Sequence, residues 1–423
     1  MFEVDRADYI AELNNKRNNR LVKVITGIRR SGKSYLLFTL YKRRLLKDGI
    51  AENQIISLAL DDFKNRHFLN PEALYDYVTG KIVDDRQYYV FLDEIQMVEG
   101  FESVLNGLLH IPNADIYVTG SNSKFLSSDI ITEFRGRGDE IRVYPFNFSE
   151  FYSVSGGDKW DAWSKYCRYG GMPQTVNMQT AKEKEAYLKD LFNKVYMLDI
   201  INRYKLRGQD EIYALTNVLS SSIGALTNPK RISDTFVSEL HLKISQPTVS
   251  RYLDYLEDSF LVSKAMRYDV KGRKYINTPL KYYFVDVGLR NARLNFRQQE
   301  ENHIMENIIY NELLRRGFSV DVGIVEVNKV ELNGTKKDVH PTRKQLEVDF
   351  VANMGSRRYY IQSAFELPTP EKINQEKKSL ININDSFKKI IIQRAPVEAW
   401  HDEDGIMRLG LMDFLLKPES IDW

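Results

Sequence analysis

The sequence predicts an α/β chain that opens on a parallel sheet wound by helices, and three strand-and-loop patterns carry that prediction. The first is an apolar run, Leu21-Val22-Lys23-Val24-Ile25-Thr26, followed by Gly27-Ile28-Arg29-Arg30-Ser31-Gly32-Lys33-Ser34 and a helix-like run from Tyr35 to Tyr41. The second is Tyr88-Tyr89-Val90-Phe91-Leu92, a buried-strand pattern that ends in Asp93 and Glu94. The third is Asp115-Ile116-Tyr117-Val118-Thr119-Gly120, which runs into Ser121-Asn122-Ser123.

The first pattern has the spacing G-x-x-x-x-G-K-[ST] in its required context of strand, loop and helix. That is the phosphate-binding P-loop. A triphosphate needs many N–H donors and few side chains in the way. Gly27 and Gly32 let the backbone curl so that successive N–H groups face inward, and the helix that follows adds its positive dipole end. Lys33 is expected at the β- and γ-phosphates and Ser34 on Mg²⁺. Gly27, Arg29, Arg30, Ser31, Gly32, Lys33, Ser34 and Tyr35 make up the expected nucleotide-binding set, with the backbones of Arg29 and Arg30 mattering more than their side chains. The cofactors implied are ATP and Mg²⁺. Guanine is disfavoured, because Asn-Lys-x-Asp is absent after the magnesium strand. Asn328-Lys329-Val330-Glu331 lies far along the chain and lacks the Asp.

In a doubly wound sheet, ligands meet the carboxyl ends of the strands. Asp93 is expected on the magnesium and Glu94 as general base on the attacking water. At the third strand tip, Asn122 or Ser121 is the candidate γ-phosphate sensor, against the plain alternative of a strand-end turn. In Phe134-Arg135-Gly136-Arg137-Gly138, Arg135 or Arg137 is the candidate finger for transition-state charge, in cis or on a neighbouring copy. A solvated basic loop is the competing reading.

These strings, with Leu92-Asp93-Glu94-Ile95-Gln96 and Pro145-Phe146-Asn147-Phe148-Ser149-Glu150-Phe151, together resemble a prokaryotic AAA-type ATPase family related to the STAND ATPases. Its C-terminal half is a domain of unknown function. The resemblance implies a P-loop NTPase parallel-sheet domain over residues 1–152, a helical lid or bridge over 153–225, a winged helix over 226–290 and a restriction-endonuclease-like α/β domain over 291–423.

Composition is consistent with that order. A chain of 423 residues holds about three domains, each able to bury a core. Hydrophobic content of 43% and charged content of 28% are those of a globular protein. A net charge of +2 leaves nucleic-acid contact to a local patch. The single cysteine, Cys167, excludes an internal disulfide framework and a cysteine-based zinc site. No apolar run approaches a bilayer span, and the first residues lack the pattern of a secretory leader. A reducing cytoplasm fits these features, with no membrane partner.

Beyond Phe151, Ser153 to Asp158 reads as a loop, and Lys182 to Tyr204 as one amphipathic helix with Tyr187, Leu191, Val195 and Leu198 along one side. Ile232 to Leu240 and a second helix opened by Ser245-Gln246-Pro247-Thr248 suit a helix-turn-helix. Val249, Tyr252, Leu253 and Leu256 form its buried face. Thr248 and Arg251 fall off that face. Phe260-Leu261-Val262 and Lys264 to Tyr268 read as wing strands around the tip Lys271-Gly272-Arg273-Lys274. Thr248, Arg251, Lys271, Arg273 and Lys274 are the candidate DNA contacts. Asp254, Glu257 and Asp258 would repel phosphates, and a protein partner or a second copy is the competing occupant.

The last third resembles the PD-(D/E)xK nuclease core. Glu306 and Asp349 match its acids, but Gln362 stands where the second acid belongs and Ala364 where the lysine belongs. An amide is a weak magnesium ligand and a methyl cannot replace an ammonium. Glu366 shares the strand face of Gln362 and Ala364, so a migrated acid stays open. An inactive binding scaffold is the expectation for residues 291–423.

Overall fold

The computed structural model describes residues 3–120, 136–240, 243–297, 300–329 and 342–423. It divides into two compact units. Unit 1 comprises residues 1–146 with the short segments 172–178 and 258–261; unit 2 comprises the remainder.

Unit 1 is built on five strands: β1 (Val22–Thr26), β2 (Ile55–Ala59), β3 (Tyr88–Asp93), β4 (Ala114–Thr119) and β5 (Gly138–Arg142). All pair in parallel, in the order β2-β3-β4-β1-β5. Strands buried on both faces read as continuous apolar runs, and every residue of β1 and β3 is buried. One face packs Val22, Val24, Val90, Leu92 and Val118 against Leu74, Val78, Val104 and Leu105. The other packs Ile25, Phe91 and Tyr117 against Leu36, Leu37 and Tyr41 of the helix after the P-loop.

A lysine sits in the middle of β1. Lys23 is fully buried and pairs with Asp115 of β4. Asp115 also accepts from Tyr117 Oη at 2.7 Å, and Tyr117 Oη lies 2.9 Å from Tyr41 Oη. Lys23 Nζ donates further to the Leu21 carbonyl at 2.9 Å. Burial alone would lower the Lys23 pKa substantially; Asp115 opposes that shift.

Unit 2 carries eight further strands: β6 (Val262–Asp269), β7 (Lys274–Phe284), β8 (Ser319–Lys329), β9 (Thr342–Met354), β10 (Arg357–Ala364), β11 (Lys388–Gln393), β12 (Trp400–His401) and β13 (Met407–Gly410). They form one mixed sheet in the order β12-β13-β11-β10-β9-β8-β6-β7. The helices Pro229–Leu240 and Gln246–Asp258 form as expected, with Val249, Tyr252, Leu253 and Leu256 buried. Ser245 Oγ accepts from the Thr248 N–H at 3.3 Å, the cap that its residue type suggests. The two expected wing strands, Phe260-Leu261-Val262 and Lys264 to Tyr268, do not form as a pair: Val262–Asp269 is the single strand β6. Its antiparallel partner is β7, beyond Lys271-Gly272-Arg273, and β6 also pairs in parallel with β8 through Arg267–Val322 and Tyr268–Gly323. Residues 147–171, 179–257 and 262–423 form this one compact unit, and the first change of unit comes at Phe146–Asn147.

The run expected as one helix over 182–204 is helical throughout, but its middle, Leu191–Met197, has π-type geometry. A π turn takes up an extra residue and rotates the buried face. Leu188, Leu191, Phe192, Tyr196 and Ile200 are buried, whereas Leu198 is 43% exposed. No helix among the described residues is long and apolar enough to cross a membrane.

Removing one partner of a buried ion pair strands the other charge. Asp115→Ala should therefore destabilise unit 1 by about 3–5 kcal/mol in urea unfolding. The double change Lys23→Met/Asp115→Leu should lose less than the single one.

Candidate functional site

The parallel order brings three strand ends together. β4 lies between β1 and β3, with Ile25 opposite Thr119 and Leu92 opposite Val118. The loop after Thr26, the carboxylate of Asp93 and the hydroxyl of Thr119 thus share one edge of the sheet, at the point where strand order reverses.

Gly27 opens the loop at φ 132°. A Cβ there would stand 2.1 Å from the Val143 carbonyl oxygen, so only glycine fits this close approach. Gly32 closes the loop at φ 96° and starts the next helix, whose Leu36 N–H donates to the Gly32 carbonyl at 2.8 Å. Arg29 and Arg30 are exposed, and Arg30 adopts φ 63°. Lys33 is 4% exposed, and its ammonium turns into the loop to donate to the carbonyls of Gly27 at 2.9 Å and Ile28 at 3.0 Å. Burial pushes Lys33 down to about 8, with Asp93 and Glu94 pulling the other way. The Ser31 hydroxyl is buried and has no hydrogen-bond partner among the described residues. Tyr35 is exposed and its hydroxyl donates to Glu3 at 2.5 Å.

Across the cleft, Ser34 Oγ donates to Asp93 Oδ1 at 3.0 Å. The Thr119 hydroxyl donates to the same carboxylate oxygen. Burial raises the Asp93 pKa, opposed by these two hydroxyls. The Glu94 N–H donates to Thr119 Oγ1 at 3.0 Å, and the Glu94 carboxylate accepts from the Gln96 amide. Glu94 holds a left-handed backbone, φ 52° and ψ 46°, which a non-glycine residue adopts only under constraint. These residues fit a magnesium-bound triphosphate. A glycine cradle lies against backbone, a buried hydroxyl is unsatisfied, an ammonium rests on carbonyls, and a hydroxyl–carboxylate pair suits Mg²⁺.

The structure therefore gathers Gly27, Ser31, Gly32, Lys33, Ser34, Asp93 and Glu94. Asn122 and Arg135 lie outside the described residues. Arg137 is not gathered. It precedes β5, where Gly138 pairs with Val22 at the start of β1, while Arg142 pairs with Thr26 at the loop end. Five residues of strand separate the two, about 16 Å. Arg137 instead donates to Asn106 Oδ1 at 3.0 Å, so within one chain it does not serve the loop. Thr119 and Gln96 were not expected. Thr119 was legible as a polar tip to an apolar strand; Gln96 had no signal beyond its nearness to Glu94.

A second polar centre lies in unit 2. Lys281 of β7 is buried, with its ammonium 2.8 Å from Glu306, 2.7 Å from Glu347 and 3.8 Å from Asp349. Tyr283, two residues along the same face, donates to Glu306 at 2.6 Å. Burial alone would raise Glu306, but Lys281, His303 and Tyr283 hold it down at about 2. Burial and the Glu306 charge push Asp349 well up. Burial would lower Lys281, yet three carboxylates raise it. The two expected acids thus meet around a lysine, which comes from β7 and not from β10. Gln362 bonds the Asp349 N–H at 3.4 Å and Glu376 at 3.1 Å. Glu366 lines a separate open hollow of about 620 Å³ with Ser363, Ala364 and Lys372. Among the described residues no three His, Cys, Asp or Glu side chains are grouped to hold a metal ion.

Residues 19–152 match a family model described as an AAA domain, and residues 161–300 one described as a domain of unknown function. The chain is 34% identical over 420 residues to an uncharacterized protein of Haemophilus influenzae, covering 98% of this chain and 99% of that one. It is 28% identical over 367 residues to an uncharacterized protein of Methanocaldococcus jannaschii, covering 83% and 76%. Among solved structures, the Aeropyrum pernix ORC1 protein in complex with DNA is similar at 12% identity and a TM-score of 0.29, over 69% of this chain and 92% of that chain. Cdc6p from Pyrobaculum aerophilum is similar at 11% identity and a TM-score of 0.29, over 72% and 93%.

Between pH 8 and 10.5 the unfolded chain keeps the Lys33 proton while the folded chain has released it, so folded stability rises with pH there. Relative to Lys33→Met, wild-type stability in urea should climb by up to about 3 kcal/mol over that window. In unit 2, Lys281→Met should destabilise by about 3–5 kcal/mol, because Glu306 loses its partner. Adding Glu306→Gln should recover part of that loss in the same unfolding measurement.

Proposed function

Because the chain belongs to the family of the Haemophilus influenzae protein, with an AAA domain at residues 19–152, we propose that it binds ATP with Mg²⁺ and hydrolyses it. The observation that carries this reading is the Ser34–Asp93 contact at 3.0 Å beside the buried Lys33. Bound Mg·ATP supplies the transferable γ-phosphoryl group and the metal charge that draws its oxygens. Lys33 exchanges the Gly27 and Ile28 carbonyls for phosphate oxygens. The backbone of Gly27, Arg29, Arg30, Ser31 and Gly32 donates N–H groups, with Tyr35 at the rim. Ser34 and Asp93 would hold the magnesium. Glu94 orients the attacking water and takes its proton. Asn122 as sensor and Arg135 as finger complete the set, and Arg137 is assigned to a neighbouring copy.

Turnover is proposed to drive unit 2, whose exposed Arg251, Lys271, Arg273 and Lys274, with the half-buried Thr248, suit duplex DNA. Lys271 donates to the Glu326 carbonyl at 2.7 Å. Asp254, Glu257 and Asp258 beside the helix would repel phosphates, so a protein partner is the competing occupant of that face. One observation favours a second reading, an ATP-held switch with negligible turnover: Gln96 engages the Glu94 carboxylate. Nuclease chemistry is disfavoured, because Gln362 stands where the second acid belongs and Ala364 where the lysine belongs, and Lys281 already bridges Glu306 and Glu347.

Glu94→Gln separates the two. If Glu94 is the base, steady-state phosphate release should fall about 10²–10⁴-fold with ATP affinity unchanged. Equal turnover in the variant removes Glu94 from the chemistry. Lys33→Ala should abolish release, and a rise on adding duplex or single-stranded DNA would identify the trigger.

A further inference from the structure

We propose that Arg6 is a positioning residue for the P-loop, and that it couples nucleotide occupancy to the segment through which the chain leaves unit 1. This rests on the nucleotide reading above. Arg6 immediately precedes the helix Ala7–Asn15 and is 5% exposed. Its guanidinium lies 4.8 Å from the ring centre of Tyr9 and 5.1 Å from that of Phe146. One nitrogen, Nη1, donates to the Ser31 carbonyl at 2.9 Å; the other, Nη2, donates to the Tyr144 carbonyl at 2.7 Å.

The first bond acts on the loop. A trans peptide is planar, with its N–H opposite its C=O. Holding the Ser31 carbonyl therefore sets the direction of the Gly32 N–H. The direction of successive N–H groups is what makes such a loop an anion site. Gly32, at φ 96° and without a Cβ, would otherwise leave this peptide free to rotate.

The second bond reaches the exit. Tyr144 also donates its N–H to Tyr9 Oη at 3.1 Å, and Val143 donates to the Thr26 carbonyl at 2.8 Å. Three residues beyond Tyr144, at Asn147, the chain first passes into unit 2. One rigid, planar fork thus joins the phosphate loop to that exit. Lysine offers no such fork.

The test uses the full chain. Arg6 has φ 48° and ψ 46°, a left-handed conformation that asparagine tolerates. Arg6→Asn removes the fork without adding backbone strain; Arg6→Lys keeps the charge. ATP affinity is measured for wild type, both variants and Lys33→Ala, together with amide hydrogen exchange over residues 143–147 with and without Mg·ATP. Wild type should protect that segment on binding ATP. Arg6→Asn should bind about tenfold more weakly, as for a lost charge-assisted hydrogen bond, and show no protection at saturating ATP. Arg6→Lys should fall between. Wild-type affinity and protection in Arg6→Asn would overturn the proposal, as would a wild-type segment indifferent to bound ATP. If circular dichroism shows Arg6→Asn unfolded, Arg6→Lys decides by the same two readouts. Wild type that binds no better than Lys33→Ala overturns the nucleotide reading itself, and this proposal with it.

Discussion

The site depends on how β1 is gripped at its carboxyl end. On one side the Gly120 N–H donates to the Ile25 carbonyl at 3.0 Å; on the other the Val143 N–H donates to the Thr26 carbonyl at 2.8 Å. Both bonds extend the parallel ladders to the last residues before the loop. Gly27 then passes so close to Val143 that a side chain is excluded. The loop starts from a point fixed on both flanks, which is what a backbone anion site needs. Preorganised donors spend nothing on rearrangement when the ligand arrives. Asp93 and Thr119 occupy the same edge only because their strands are parallel to β1 and ordered beside it.

Three buried lysines show how partners decide the fate of one residue type. Lys33 rests on neutral carbonyls, with its carboxylates at a distance, and burial wins: its pKa falls to about 8. Lys23 has one carboxylate in contact and is still lowered. Lys281 has three acids around it and is raised although it too is buried. An ammonium that is costly to keep charged is suited to receiving an anion. One already surrounded by carboxylates is neutralised and suited to holding strands together. The contrast follows from how many carboxylates stand against each ammonium.

Much was legible from residue order because the informative signals were local. A loop that must cradle phosphate carries its own spacing, and the strands around it are continuous apolar runs because both faces are covered. The helix after Ser245 could be read from its cap and from the recurrence of Val249, Tyr252, Leu253 and Leu256. Phase was harder. The π-type turn within Leu191–Met197 shifts the buried face off the 3.6-residue stripe and leaves Leu198 in solvent. No residue in Leu191–Met197 marks such a turn by its type alone.

The sequence by itself determined the phosphate-loop chemistry, the acidic end of β3 and the amphipathic helices, since each is specified by residues close together in the chain. Only the tertiary structure decided the rest. It set Arg137 at the far end of β5 from the loop, brought Thr119 to Asp93, carried Lys281 to Glu306 and Asp349, and joined β6 to β8. It also brought Arg6 to Ser31 and Tyr144, across 25 and 138 residues. Such contacts depend on strand order and register. These are chosen by the summed burial of whole faces, so no short run of residues encodes them.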